Sequence, residues 1–273
     1  MINNILTIDL EEYFHANNVA VTLPLAGSVP APSRIVESTE ALLAFLAEYR
    51  IEATFFVLGK VAESHPELVG EIERRGHEIA THGYSHALLT SMTPQTFEQD
   101  LRTALSVTQP CVKQPIIGYR APSFTIVPST RWALEVIEKV GLRYDSSIFP
   151  IGFHPDYGMP GAPACIHAIT PRLMEVPISC LDIAGIRIPC TGGGYFRLFP
   201  YFISRALYRM YNRKQRPIVF YLQPWEIDPT QPRFSLSLTR RFRQYVNISR
   251  MMDRMRMLVR DFHFTSIRKV LAA

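Results

Sequence analysis

The chain alternates short apolar segments with longer segments in which apolar residues recur at helical spacing. The short segments are rich in β-branched and aromatic residues, as expected of parallel strands that are buried on both faces. Several longer segments begin after proline and end at glycine, which indicates helices. We predict strands over residues 4–10, 53–58, 77–81, 116–119 and 217–222, and helices over residues 33–50, 61–75, 94–108 and 128–139. Strands and helices that alternate in this way predict a parallel sheet or a (β/α) barrel.

The alternation stops between residues 149 and 199, where proline and glycine are frequent. We expect an irregular insertion with a short hairpin over one end of the barrel, and such loops commonly carry binding residues. Apolar residues at steps of three, four and seven then predict a long amphipathic helix over about residues 237–261. We therefore predict a single domain over residues 1–273, with an α/β architecture, an insertion and a long C-terminal helix.

Composition excludes several classes of protein. With 273 residues, 47% of them hydrophobic and 19% charged, the chain can bury a full core, so it is neither disordered nor a coiled coil. No apolar run approaches the roughly 18 residues of a membrane-spanning helix, and the first residues do not resemble a secretory signal, so we expect a cytoplasmic protein. The four cysteines show no C-x-x-C spacing, which argues against a structural zinc site.

The positive charge of the chain lies in its C-terminal part. Residues 224–273 contain 10 Lys and Arg against 4 Asp and Glu, whereas the chain as a whole has 29 against 24. A basic helix face is typical of a solvated surface, and it also permits peripheral contact with anionic lipid or an acidic glycan. No recognition motif accompanies the charge, so we do not expect nucleic-acid binding.

Two histidines and two carboxylates follow predicted strands. His82 and His86 come directly after the strand at 77–81, and on a helix this spacing would place both on one face, close enough to share a divalent ion. Asp9 and Glu11 are two residues apart at the end of the first strand, so both point to one face. Because parallel strands end at a common rim, one carboxylate can bind a metal while the other acts as a base.

An arginine, Arg120, follows the strand at 116–119. A buried guanidinium needs an anionic partner, since burying an unpaired charge is prohibitively costly. Asp9 is the obvious partner, although an isolated arginine of this kind more often lies on the surface.

These blocks together resemble the polysaccharide deacetylases with the NodB homology domain, carbohydrate esterase family 4. The segments that carry the resemblance are LTIDLEEYF, HGYSH, GYRAPSF, YDSSIFP, GGGYFRL, PWEIDPTQPR and FRQYVNI, in this order over nearly the whole chain. More closely, they are similar to the branch encoded with bacterial exosortase and exopolysaccharide systems. The resemblance implies a distorted (β/α) barrel, a divalent metal that is usually zinc, and removal of N-acetyl groups from an N-acetylhexosamine polymer or its lipid-linked precursor.

The resemblance also implies roles for individual residues. Asp9 matches the catalytic base, and Arg120 matches the arginine that orients this base and keeps it ionised. The metal triad is matched by Glu11, His82 and His86. Many members carry adjacent aspartates where this chain has two carboxylates separated by one residue, so Asp9, Glu11 and Glu12 all stay open as the metal carboxylate.

Four further residues are expected to contact substrate. They are Phe124 beside the groove wall, Tyr195 after three glycines, Gln223 at the end of the last strand, and Trp225. The glycines permit a close backbone approach and not a phosphate loop, because no lysine follows them. Trp225 is suited to stack on a sugar face, or to fill the mouth of the barrel.

Gln223 is the main departure from the family pattern. The related branch usually reads H-P-W-E here, and this histidine protonates the leaving amine, whereas a glutamine amide has no proton to give near neutral pH. His15, His154 and Glu226 are candidate replacements. Two alternative functions stay open: a catalytically impaired glycan-binding protein of the same fold, and a deacylase of a small non-sugar amide. The sequence does not predict the oligomeric state.

Overall fold

A computed structural model describes residues 2–16, 19, 32–152, 157–183 and 185–273. A curled sheet forms the centre of this part of the chain, in the order β10-β1-β2-β3-β4-β5-β7-β6, with β11 also paired to β1. Neighbouring strands are parallel except for β6 and β7. The sheet curves into an incomplete barrel, which confirms the predicted distorted (β/α) barrel.

The strands are short except for the first. They are β1 (Asn4–Leu10), β2 (Thr54–Val57), β3 (Glu78–Thr81), β4 (Gly118–Tyr119), β5 (Tyr144–Asp145), β6 (His167–Ala168), β7 (Met174–Glu175), β10 (Val219–Leu222) and β11 (Phe264–Thr265). A separate antiparallel hairpin consists of β8 (Cys180–Ile183) and β9 (Ile186–Pro189). This hairpin lies in the region where an irregular insertion was predicted.

Helices pack on the convex side of the sheet, and further helices make up much of the C-terminal region. They are α1 (Ile35–Tyr49), α2 (Gly59–Ser64), α3 (Pro66–Arg74), α4 (Pro94–Thr108), α5 (Ala133–Val140), α6 (Gly193–Leu198), α7 (Tyr201–Arg213), α8 (Leu238–Tyr245), α9 (Met251–Asp261) and α10 (Ile267–Leu271). No helix of the described residues is long and apolar enough to cross a bilayer.

Successive side chains of β1 point alternately to the apolar core under the helices and to the interior of the barrel. Leu6, Ile8 and Leu10 belong to the apolar cluster under the helices, whereas Ile5 belongs to a second cluster on the concave side. Since successive side chains of a strand point to opposite faces, Asp9 faces the same interior as Ile5. The same strand therefore supplies the core with one set of side chains and the interior with the other.

The C-terminal helical segment is divided into α8 and α9, where the sequence predicted one continuous helix. Asn247 interrupts it with a left-handed backbone, at a φ of 51°. The Asn247 side chain donates a hydrogen bond to the Arg197 carbonyl oxygen at 2.8 Å, which holds the turn against α6. Both helices keep helical spacing of apolar residues, so the periodicity of the sequence did not reveal the break.

Gly118 provides a test of the packing inside the barrel. A Cβ added at this position would lie 1.9 Å from Cζ of Tyr144, a buried ring whose hydroxyl donates to Glu78 Oε1 at 2.9 Å. We expect Gly118→Ala to lower the free energy of unfolding by about 1–3 kcal/mol, because the ring must move. Chemical denaturation measures this change. Gly194→Ala is the matched control, since no atom lies within 4 Å of its added Cβ, and an equal loss in both variants would contradict this account.

Candidate active site

A cavity of about 450 Å³ opens at the carboxyl ends of the central strands. Of the residues predicted for the site, only Arg120 does not line it. The other eight are Asp9, Glu11, His82, His86, Phe124, Tyr195, Gln223 and Trp225. The structure therefore brings residues from distant parts of the sequence to one location.

Glu11, His82 and His86 form a cluster that could hold a metal ion. One potential ligand atom from each lies within 4.8 Å of the others. Glu11 Oε2 lies 2.7 Å from Nε2 of His86 and 3.9 Å from Nε2 of His82. This oxygen is buried beside the two imidazoles. Two imidazole nitrogens and one carboxylate oxygen are a donor set typical of catalytic zinc, so the residues fit a divalent ion.

His82 is held in the state that a metal ligand requires. Its Nδ1 lies 2.8 Å from the carbonyl oxygen of Arg120, so Nδ1 donates and the Nε2 lone pair faces the cluster. Burial, followed by the neighbouring His86, lowers the pKa of His82 to about 3. The imidazole is therefore neutral near pH 7.

The two histidines do not lie on a helix, so this part of the sequence interpretation was wrong. β3 ends at Thr81, and residues 82–88 form a loop. Gly83 and His86 both adopt positive φ angles, of 77° and 62°. The loop folds back on itself and brings the rings to a centroid distance of 5.5 Å. Their proximity thus depends on the loop and not on helical periodicity.

The three candidate carboxylates have different surroundings. Glu12 turns away from the cluster, and its carboxylate accepts hydrogen bonds from Ser33 Oγ and the Arg34 backbone. Asp9 accepts a hydrogen bond from Arg120 Nη1 at 2.8 Å. Glu11 alone of the three belongs to the group with His82 and His86.

Arg120 is fully buried, and its guanidinium is surrounded by acceptors. Besides Asp9, it donates to Thr7 Oγ1 at 2.7 Å, to the Ser146 carbonyl oxygen at 3.0 Å and to Ser146 Oγ at 2.8 Å. The ring of Phe56 lies 4.1 Å from Cζ. Burial raises the pKa of Asp9, and the Arg120 charge opposes this shift. Arg120 thus fixes the position of the carboxylate and limits how far burial can neutralise it.

The sequence analysis did not identify Thr7 or Ser146 as part of this arrangement. Thr7 has the same strand parity as Asp9, and Ser146 directly follows β5. The signal available in the sequence was a polar residue within β1 and another directly after β5. Sequence alone could not show that both would be acceptors of one guanidinium.

Gln223 lies beside the proposed base. Ile8 is in register with Leu222, so the next residues, Asp9 and Gln223, follow on adjacent strands. The Gln223 backbone donates to Glu226 Oε2 at 3.1 Å. The glutamine therefore occupies the strand end at which the sequence pattern leads one to expect a histidine.

The candidate replacement acids differ in how they are engaged. Glu226 is buried and accepts from Arg197 Nε at 3.0 Å, so its carboxylate is already paired. His15 lines the cavity and stacks on His86 at 5.5 Å, and burial lowers its pKa to about 4. His154 lies outside the described residues. Of the two candidates among the described residues, Glu226 is therefore already paired, and His15 lines the cavity as a neutral imidazole near pH 7.

Aromatic side chains form the remaining walls. Phe124 packs against Tyr221 with ring centroids 4.8 Å apart, and the Tyr195 hydroxyl lies 3.3 Å from that of Tyr157. Trp225 packs in a small apolar cluster with Tyr13 and is 7% exposed. Its ring therefore helps to close the barrel mouth as well as lining the cavity.

The backbone amide of Tyr84, in the loop between the two histidines, is occupied by a partner within the fold. The Tyr84 amide donates to Asp100 Oδ2 at 2.9 Å. It is therefore not directed at the metal cluster.

Comparisons with known proteins agree with these observations. Residues 28–144 match the family described as polysaccharide deacetylase, and residues 146–272 match a domain of unknown function, DUF3473. A chitooligosaccharide deacetylase of Rhizobium leguminosarum bv. trifolii is 39% identical over 64 residues, which are 23% of this chain and 30% of that protein. A peptidoglycan deacetylase of Helicobacter pylori is 31% identical over 116 residues, 42% of this chain and 39% of that protein.

The chain therefore spans well under half the length of these two relatives. Among solved structures, one from Mycobacterium smegmatis that is described as a polysaccharide deacetylase has a TM-score of 0.58 at 18% identity. It covers 97% of this chain and 87% of its own. This likeness shows that the fold is shared.

The cluster predicts which carboxylate binds a metal. We expect the protein to bind one zinc ion per chain, and Glu11→Gln to weaken zinc binding at least tenfold, because one of three ligands loses its charge. Glu12→Gln is the matched control and should keep zinc, since its carboxylate faces Ser33 and Arg34. Calorimetric titration of zinc into the metal-free variants measures both. The reverse ranking would exchange Glu11 and Glu12 in the site.

Proposed function

We propose that this chain, whose residues 28–144 match the family described as polysaccharide deacetylase, removes N-acetyl groups from N-acetylhexosamine units of a bacterial exopolysaccharide or its lipid-linked precursor. The observation that carries the proposal is the position of the Glu11, His82 and His86 cluster beside the Asp9 and Arg120 pair in one cavity. Amide hydrolysis needs an electrophilic centre and a base next to each other, and these two groups are adjacent at one rim.

The three clustered residues would hold a divalent ion, and their two imidazoles and one carboxylate are the donor set typical of catalytic zinc. When bound there, such an ion would supply a centre that polarises an acetyl carbonyl and lowers the pKa of a bound water towards about 7. Asp9 accepts the proton of the attacking water. Arg120 orients the Asp9 carboxylate through its 2.8 Å contact and stays charged behind it. His82 keeps its orientation because the Arg120 carbonyl oxygen accepts its Nδ1 proton.

The aromatic walls suit a sugar substrate. Phe124, Tyr195 and Trp225 line the cavity, and the apolar faces of sugar rings can pack on aromatic side chains. Gln223 lies where the leaving amine would depart, and its amide can donate a hydrogen bond to substrate but not a proton.

A second candidate function follows from Gln223. A glycan-binding protein of the same fold, with little or no catalytic activity, would keep the cavity and the metal cluster without a residue to protonate the amine. Acetate release from a panel of N-acetyl glycans and small N-acyl amides, with and without zinc, separates this candidate from the deacetylase and from a deacylase of small amides.

The division of roles between the carboxylates is tested at Asp9. We expect Asp9→Asn to lower the rate of acetate release by about 10²–10⁴, because the amide cannot accept the proton. Zinc should stay bound, since Glu11, His82 and His86 remain. Asp253→Asn, at an exposed surface position, is the control and should be fully active. Loss of zinc from Asp9→Asn would mean that Asp9 and Glu11 have exchanged roles.

Restoring a proton donor tests the role of Gln223. We expect Gln223→His to raise the rate of acetate release by up to about 10²–10⁴, provided that the imidazole reaches the leaving nitrogen. Gln223→Asn, which restores no donor, should not raise it. Rates for His15→Gln and Glu226→Gln show whether another group already acts as the acid. If the parent and Gln223→His both bind zinc and neither releases acetate, the deacetylase proposal fails and the glycan-binding candidate is favoured.

A further inference from the structure

Helix α8 exposes its apolar side chains. Leu238 and Phe242, four residues apart and therefore on one side of the helix, are 84% and 56% exposed. Gln244, by contrast, is 0% exposed and faces the protein. A helix that packs on its own protein normally has the opposite arrangement, with apolar residues inward and polar residues outward. The outer face of α8 is thus built for an apolar environment outside the folded chain.

The exposed surface around these apolar side chains is strongly basic. Residues 229–252 contain five arginines and no lysine, aspartate or glutamate. Three of these arginines, Arg240, Arg241 and Arg243, lie on α8 and are exposed. We refer to Leu238, Phe242 and these three arginines as the α8 surface.

A buried arginine holds α8 in place. Arg197 Nη1 donates to the carbonyl oxygens of Gln244 at 3.0 Å and Val246 at 2.9 Å, and Nη2 donates to that of Arg243 at 3.3 Å. These carbonyls at the end of a helix otherwise lack partners, and a cation there is favourable. Arg197 is itself 1% exposed. The α8 surface is therefore presented by a fixed helix and not by a loose end.

We propose that the α8 surface docks on an anionic phospholipid bilayer. Its arginines match the negative surface of such a membrane, and Leu238 and Phe242 would enter the region between headgroups and acyl chains. An acidic polysaccharide would pair with the arginines but would leave Leu238 in water. Only the bilayer uses both the charge and the exposed apolar side chains.

The α8 surface adjoins the active-site cavity. Phe242, Arg243 and Val246 line the same cavity as the metal cluster. Docking therefore places the cavity mouth at the membrane, which favours an acetylated glycan carried on a membrane lipid as the substrate class. The substrate part of this inference rests on the proposed deacetylase function, whereas the membrane contact does not.

Sedimentation with lipid vesicles tests the membrane contact. We expect the protein to bind vesicles of phosphatidylcholine that contain phosphatidylglycerol, and not vesicles of phosphatidylcholine alone.

Replacing two arginines, in the double variant Arg240→Gln with Arg241→Gln, should weaken vesicle binding by on the order of tenfold or more. Leu238→Ser should weaken it by about tenfold, because a buried leucine side chain is lost from the interface. Arg131→Gln with Arg172→Gln removes the same charge from exposed positions elsewhere and should bind as the parent does.

Three results would overturn the membrane contact. They are no binding of the parent to the anionic vesicles, an equal loss in the Arg131 and Arg172 control, and unchanged binding of Leu238→Ser. The last result would mean that charge alone accounts for the binding and that Leu238 does not enter the bilayer. Acetate release from a soluble N-acetyl chitooligosaccharide should be the same in the parent and in the Arg240 and Arg241 variant. If neither releases acetate, the deacetylase function fails while the vesicle result still stands.

Discussion

The ion pair between Arg120 and Asp9 is the constraint on which the interior of this protein depends. Both groups are buried, and removing a charge from water is costly unless every donor and acceptor finds a partner. Arg120 meets this requirement by contacting β1 through Asp9 and Thr7 and the segment after β5 through Ser146. These contacts tie together strands that are far apart in the sequence, at the end of the sheet where the cavity opens.

The sequence predicted the elements that have a strong local signal. β1 is found at the predicted residues because it is rich in β-branched and apolar residues and is buried along its whole length, and α4 is found at the predicted residues because Thr93 caps it and Pro94 begins it. Two-residue strands such as β5 and β7 were not predicted, since so short a segment has no measurable periodicity. They form because the sheet next to them supplies backbone partners.

For the candidate site, residue types and strand ends predicted which side chains would meet, but not the backbone that brings them together. Glu11, His82 and His86 were found through their positions after strands. The loop that joins the two histidines was missed, because a left-handed residue such as His86 carries no distinctive sequence signal when it is not glycine. The pairing of Glu226 with Arg197 was also out of reach, since 28 residues separate them and only tertiary structure brings them together.

Position 120 serves the two halves of the site through different parts of one residue. Its side chain holds Asp9, and its backbone carbonyl oxygen orients His82. Any substitution there changes the first contact but leaves a carbonyl oxygen in the chain for the second. Natural variation at this position can therefore remove the partner of Asp9 while the acceptor for His82 Nδ1 stays in the backbone. Lineages that abandon catalysis in this way would retain a protein that still holds its ion, and metal content alone would be a poor guide to whether a member of such a lineage is an active enzyme.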